Sequence, residues 1–326
     1  MRTRYLILAT IALLLQSCYS DIEFKGLMPE PVPVINAVAT PDTVVMASIS
    51  RSYSYEENLG DLYVKDADVS LYVNGTLHGK MQGKEVSTHP VVDSGGVTEE
   101  LSRKWIYTSD YVPSPGDDIK IEAATRYGTA SVSDVIPQPA YVESVTFDAV
   151  RHDGNEWTTQ VSYDVTYHVR INDKPGERNY YMLGVRHKDT SDWSFIRIYL
   201  TDPVFGMQNQ DITDIGSDTP YTMTVTVFDD TMFDGTTYDL RFEEYAYDGY
   251  NSIGYWQDSM EREVILYSIT EDYYKYMRSV QKDMHRDDST LGDLGIYEPI
   301  FIHNSVDGGA GALCAQSSVS TMLTIE

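Results

Sequence analysis

From about residue 32 onward, apolar and polar residues alternate with a period of two rather than 3.6. That is the spacing of strands whose successive side chains point to opposite faces. In VSLYVNGTLHG, Val69, Leu71 and Val73 share one face, and Asn74-Gly75 follows. This dipeptide suits a two-residue hairpin turn, because both central residues need positive φ. DDIKIEAATRYGTASVSDVIP predicts a second hairpin, with Ile119, Ile121 and Ala123 alternating before a turn at Tyr127-Gly128. Pro137-Gln138-Pro139 then withholds ladder donors and favours an extended connection. The alternation therefore predicts an N-terminal domain over 32–137 and a C-terminal domain over 140–326.

The second series runs through YVESVTFDAV, QVSYDVTYHVRI, NYYMLGVRH, WSFIRIYL, YTMTVTVF and YDLRFEEYAY. Tyr163, Val165, Tyr167 and Val169 fall on one face, and Asp173-Lys174-Pro175-Gly176 supplies turn chemistry before the next strand. No helical pattern separates these strands, so antiparallel pairing is expected and a doubly wound fold is not. One segment departs from the pattern. SITEDYYKYMRSVQKDMHRDD opens on Ser268 with Glu271 three residues later, the spacing of a capping box. Ile269, Tyr273, Tyr276, Met277, Val280 and Met284 then form an apolar stripe at helical spacing. The expected fold is all-β and mainly antiparallel, with two sandwich-like domains. The first is immunoglobulin-like or carboxypeptidase-regulatory-like, and the larger second one carries a helix near 269–286. Residues 202–220 and 85–104 lack periodicity and are long for compact connections, so a ligand is sought there first.

The opening residues change the picture. Arg2 and Arg4 precede an eleven-residue apolar run from Tyr5 to Leu15, whereas a bilayer-spanning helix needs roughly 20. This is a secretory signal layout. The run ends in Leu15-Gln16-Ser17-Cys18, which resembles the bacterial lipobox. The resemblance implies cleavage after residue 17, a diacylglyceryl group on Cys18 and a tether over 18–31. Several acyl chains on one residue make a lasting anchor, since each buried methylene contributes about 0.8 kcal/mol.

The formal net charge is −26, and losing residues 1–17 removes two arginines and no acid, giving −28. Such a chain repels phosphate backbones, so nucleic acid is not an expected partner. The cysteines are Cys18 and Cys314, so with Cys18 lipidated no disulfide is expected. The 26 tyrosines suit half-buried strands and wet interfaces, each having a large ring and a polar tip.

No catalytic constellation emerges, and no catalytic, cofactor or metal residues are assigned. HNSVDGGAGALCAQSS, residues 303–318, has the glycines of a phosphate cradle. It lacks a base, and it continues as a strand rather than a helix. Cys314 reads as a buried structural thiol in an acidic setting, with His303 eleven residues upstream. The glycines are expected to supply positive φ or a bulge before the last strand. Acids recur at loop spacing in Asp229–Gly235 and Asp211–Asp218, and weak calcium binding at one of them stays open, although neither fits an EF-hand loop. Adjacent pairs such as Glu99-Glu100 and Glu243-Glu244 point to opposite faces of a strand and cannot act together.

The order of several pieces is similar to that in Bacteroidota outer-membrane lipoproteins described as domain of unknown function 4249. These pieces are the lipobox, then PVPVINAVATPDTVVMASISRSYSY, VKDADVSLYVNG, YVPSPGDDIKIEAATRYGTASVSDVIPQP, SITEDYYKYMRSV and EPIFIHNSVDGGAGALCAQSS. Leu313-Cys314 stands where many members carry an aromatic residue. The resemblance implies a surface protein lipid-anchored in the outer membrane, accessory to a TonB-dependent nutrient transporter, with Cys18 as its one transferable site residue. Acidic Asp21 and Glu23 just after the cysteine resemble an outer-face sorting signal. A surface adhesin or fimbrial component is the alternative. A glycan-binding module with aromatic platforms, for example near Trp193 or Trp256, is another.

Overall fold

The computed structural model describes residues 30–53, 62–87, 92–93, 96–97, 103–154, 161–188, 193–205, 221–223, 225–248, 260–284 and 301–325. Those from Pro31 onward belong to one compact unit. Residue 18, the lipidation candidate, lies outside the described residues, as does Trp256.

The N-terminal half supplies β1 (Pro33–Thr40), β2 (Thr43–Arg51), β3 (Asp68–Val73), β4 (Thr76–Lys80), β5 (Gln82–Ser87), β6 (Val92–Asp93), β7 (Gly96–Val97), β8 (Arg103–Thr108), β9 (Asp118–Thr125) and β10 (Gly128–Val135). The C-terminal half adds β11 (Tyr141–His152), β12 (Val161–Asn172), β13 (Tyr180–Lys188), β14 (Trp193–Phe195), β15 (Ile198–Leu200), β16 (Tyr221–Met223), β17 (Val225–Asp229), β18 (Thr237–Asp248) and β19 (Glu261–Ile269). Helix α1 (Glu271–Met284) and β20 (Ala310–Thr324) complete the order.

The protein is an all-β sandwich in which the largest sheet runs β14-β13-β19-β20-β1-β2-β8-β5, with β17 also on β13. A four-stranded sheet, β10-β9-β3-β4, and a five-stranded one, β11-β12-β18-β15-β16, pack beside it. The ladders are antiparallel except for β1 on β20, which is parallel from Val34↔Ala310 to Ala39↔Ala315.

Local chemistry explains the hairpins. Asn74 and Gly75 take φ of 51° and 74°, closing β3 on β4. In the second hairpin Gly128 pairs with Thr125, so Arg126-Tyr127 forms the turn, one residue earlier than the spacing suggested. The ends of the 85–104 segment are strands, because β5 and β8 pair from Gln82↔Thr108 to Ser87↔Arg103.

Two large cores follow the alternation. In the first, Ile35 and Ile49 of the large sheet meet Leu71, Ile119 and Ile121 of the four-stranded sheet, all fully buried. In the second, Val165, Tyr167 and Val169 meet Leu183 and Val185. Each such aliphatic side chain contributes roughly 1.5–3 kcal/mol by leaving water. The connection at Pro137-Gln138-Pro139 separates the strands of these cores, yet the large sheet is common to both. Strand β20 makes the join: Leu313 and Ala315 enter the first core, and Leu323 packs on the second.

The glycines ahead of β20 allow that join. Gly308 and Gly311 have φ of 72° and 116°, and a Cβ on Gly311 would lie 2.0 Å from the Ile35 carbonyl oxygen. The chain thus reaches β1 at a closeness only glycine permits. Residues 301–306, with His303 among them, are irregular.

Helix α1 covers the outer side of β13, β17 and β20. Tyr273, Tyr274 and Met277 pack on Met182, Val227 and Ile269. Its cap is Thr270 rather than Ser268: the Tyr273 N–H donates to Thr270 Oγ1 at 3.4 Å, and Ser268 is buried within β19. Glu271 instead pairs with Lys275 at 2.8 Å, one helical turn on.

Candidate functional site

The strongest buried electrostatic feature links the two sheets of the C-terminal sandwich. Glu244 on β18 points inward and Glu243 outward, as their adjacency requires. Glu244 is 5% exposed and meets the fully buried Arg262 of β19, with Nη2···Oε1 at 2.7 Å and Nε···Oε1 at 2.9 Å. Tyr167 donates its hydroxyl to Glu244 Oε2 at 2.6 Å, and its ring stacks on Phe242. Burial, reinforced by the Glu244 charge, raises the Tyr167 phenol far above its ordinary range. The pair ties β18 to β19 across the core, and removal of either partner would leave a buried charge uncompensated.

Asp173, Asp230 and Asp234 bring carboxylate oxygens within 4.8 Å of one another. Two of them come from the acid-rich Asp229–Gly235 segment noted in the sequence, while residues 211–218 lie outside the described residues. Each carboxylate accepts hydrogen bonds from the protein. Asp173 receives Tyr181 Oη at 2.8 Å and the Gly235 N–H at 3.0 Å. Asp230 receives the Asn179 N–H at 2.6 Å, and Asp234 the Gly176 N–H at 2.9 Å. Burial, then the Asp173 charge, pushes Asp230 above its ordinary value. These bonds staple the 173–179 turn to the 229–236 turn.

His303 and Cys314 are not brought together. His303 Nε2 meets Asp272 of α1 at 2.9 Å, whereas Cys314 lies beneath the helix with Tyr273 as its partner. Burial pushes the thiol up to about 11, against a smaller opposing pull from Tyr273. A thiol in that state is not a nucleophile at neutral pH.

The open side of the five-stranded sheet is different. Cross-strand registry sets its outward residues in rows: His152, Ser162 and Tyr247; Val150, Asp164 and Tyr245; Asp148, Thr166, Glu243 and Tyr199. Next come Thr146, His168 and Arg241, then Ser144, Arg170 and Asp239. The last two rows form a charged lattice. Arg170 binds Glu143 at 2.7 Å, Arg241 binds Asp239 at 3.1 Å, and His168 lies 3.3 Å from both Asp148 and Asp239.

The first three rows carry the aromatics. Tyr199, Tyr245 and Tyr247 are 36%, 41% and 43% exposed, and Val150 is 60% exposed. Tyr245 and Tyr247 meet edge to face at 4.7 Å and 82°, and Tyr245 Oη donates to Ser162 Oγ at 2.8 Å. Ser162 is buried beside them although it lies on the outward face. Burial, together with the neighbouring phenols of Tyr245 and Tyr199, pushes Tyr247 above its ordinary value. The Tyr245 and Tyr199 hydroxyls therefore lie within electrostatic reach of Tyr247.

Of the tryptophans suggested as examples of aromatic platforms, Trp193 lies in β14 of the large sheet and Trp256 outside the described residues, so neither belongs to this tyrosine group. A signal existed in YDLRFEEYAYD, where Tyr245 and Tyr247 alternate with the inward Phe242, Glu244 and Ala246. Of the 202–220 segment, residues 206–220 lie outside the described residues. Its start is anchored, with Val204 and Phe205 buried and Asp202 accepting Tyr238 Oη at 2.5 Å.

Fold and surface together define an all-β sandwich whose clustered ionisable groups mostly serve its own architecture. Residues 20–321 match the family described as Domain of unknown function (DUF4249), and the chain belongs to that family. No curated protein matches it.

Proposed function

We propose that this chain is a non-enzymatic binding protein of the Bacteroidota outer membrane, held at the cell surface by a lipid on Cys18 and serving a TonB-dependent nutrient transporter as a docking or capture subunit. One contrast carries the binding half of this reading. The carboxylate cluster, the Arg262–Glu244 pair and Cys314 are engaged by their neighbours, while Tyr199, Tyr245 and Tyr247 stand exposed on a sheet face. The anchor rests on Leu15-Gln16-Ser17-Cys18, and the transporter on the family resemblance.

Purification of the full chain from its native membranes in a non-glycosidic detergent tests the reading. Co-elution with a barrel transporter is the expected result, and migration alone while the transporter elutes elsewhere overturns it. Incorporation of labelled palmitate by the wild type, abolished in Cys18→Ser, tests the anchor separately. A second reading, a surface adhesin, is favoured by β11, a 12-residue strand at the edge of its sheet, paired with β12 on one side. Such an edge can accept a partner strand. Capture of filaments in place of a barrel would favour it.

A further inference from the structure

We infer that the Tyr199–Tyr245–Tyr247 platform is a subsite for a neutral carbohydrate, bound with the C–H face of a pyranose against the phenol rings. The inference rests on the reading of the chain as a binding protein and names the chemistry of its ligand.

Charge selects the ligand class. The cations of this face sit in the charged lattice and are engaged there, Arg170 by Glu143 and Arg241 by Asp239. The aromatic rows hold Asp148, Asp164 and Glu243, with His152 bonded to Asp164 at 2.8 Å. In a chain of net charge −26, the described residues of that end offer no free cation to a phosphate, sulfate or uronate, and their carboxylates repel them. Carboxylates are strong acceptors for the hydroxyl donors of a sugar.

Geometry narrows the choice further. Electron-rich ring faces attract the weakly positive C–H groups of a pyranose. Tyr245 and Tyr247, two residues apart on one strand, have ring centroids 4.7 Å apart, with Tyr199 on the neighbouring strand two positions out of register. The result is a shallow platform carrying three hydroxyls, of which that of Tyr245 already donates to Ser162 and can still accept. A cationic side chain would need an enclosing cage with free ring faces. Here the rings stand on an open sheet face and form no such cage among the described residues. An extended apolar partner is disfavoured too, because carboxylates interrupt the patch in two of its three rows.

The test uses the full chain in a non-glycosidic detergent, on an array of neutral and anionic oligosaccharides, with titration calorimetry on the hits. Neutral glycans are expected to bind with dissociation constants on the order of 0.1–1 mM, typical of a shallow site with few desolvated contacts. Tyr245→Ala and Tyr247→Ala should each weaken binding about tenfold, the loss of one aromatic contact. Tyr247→Phe should retain most of the affinity. Tyr141→Ala, an exposed aromatic at the far end of β11, should leave it unchanged. Unaltered melting curves would show that the variants fold.

Absence of neutral glycan binding, equal binding by Tyr247→Ala, or preference for anionic glycans or a lysine-rich peptide would each overturn the inference. Failure here with transporter co-elution intact would remove the carbohydrate and leave the docking function standing. Glycan binding without co-elution would do the reverse.

Discussion

The C-terminal sandwich has two outer surfaces built from similar residues, and they have opposite fates. On the large sheet, Tyr180, Tyr267 and Val225 lie under α1, whose Tyr273, Tyr274 and Met277 complete a third apolar cluster. On the five-stranded sheet, Tyr199, Tyr245 and Tyr247 meet no comparable cover among the described residues and stay exposed. Tyrosine serves both surfaces because its ring packs and its hydroxyl tolerates water. Cover, not residue type, makes one surface structural and leaves the other exposed.

Removing what lies between the surfaces should have the largest effect. Arg262→Ala strands Glu244 in the core and is expected to cost about 3–5 kcal/mol in denaturant unfolding. Replacing the pair together, Arg262→Met with Glu244→Leu, should recover most of that loss. Next, Tyr273→Ala under the helix should cost about 3 kcal/mol, as for a truncated core aromatic. Tyr247→Ala on the open face should cost less than about 1 kcal/mol. Equal losses in the two variants would erase the distinction between the surfaces.

A smaller effect reports the cover directly. Because burial pushes Cys314 up to about 11, its peptide should be alkylated much more slowly at pH 8 in the native chain than in the denatured one. Tyr273→Ala should speed the reaction, as followed by mass spectrometry.

The smallest effects concern two carboxylates shifted in opposite directions. Burial, together with the Asp272 and Asp118 charges, raises Asp134 above 3.8 despite the bond from Thr270 at the start of α1. Its favourable contribution is complete below pH 3.8 and is lost as pH rises through the raised value. Asp134→Asn should therefore raise the Tm at pH 7, and the gain should vanish in acid. On the open face burial also pushes Asp239 upward, but Arg241 and His168 outweigh it and hold Asp239 below 3.8. Its contribution is present above pH 3.8 and is lost as pH falls through the lowered value. Asp239→Asn should lower the Tm slightly at pH 7 and make no difference at strongly acidic pH. Tm measured across pH would separate the two carboxylates, one beside the start of α1 and one on the open face, by sign.

Alternation made half-buried strands legible in the sequence. Tyr163, Val165, Tyr167 and Val169 are all buried, the Asn74-Gly75 turn forms, and α1 lies within the stretch that showed helical spacing. The pattern fails where both faces of a strand are covered. In β19, EREVILYSI, Val264 and Leu266 enter the sandwich core while Ile269 meets the helix side, so no period of two survives. Arg262 adds to the failure, because an arginine reads as surface until its partner on a distant strand is known.

The tyrosine platform was hidden for a related reason. Tyr163 and Tyr245 carry the same side chain, and only the packing of the sheets buries one and exposes the other. The shared sheet was equally silent, since the parallel partner of β1 lies nearly the whole chain away and no local spacing encodes it.

That distant partnership governs how the protein comes into being. Strand β1 finds one neighbour at once, across the turn from Thr40 to Thr43, but its other edge waits for residues 310–315. Contacts of such long sequence separation make folding slow. The central sheet cannot close until nearly all of the chain has been delivered. The strand that completes the central sheet is among the last to be made.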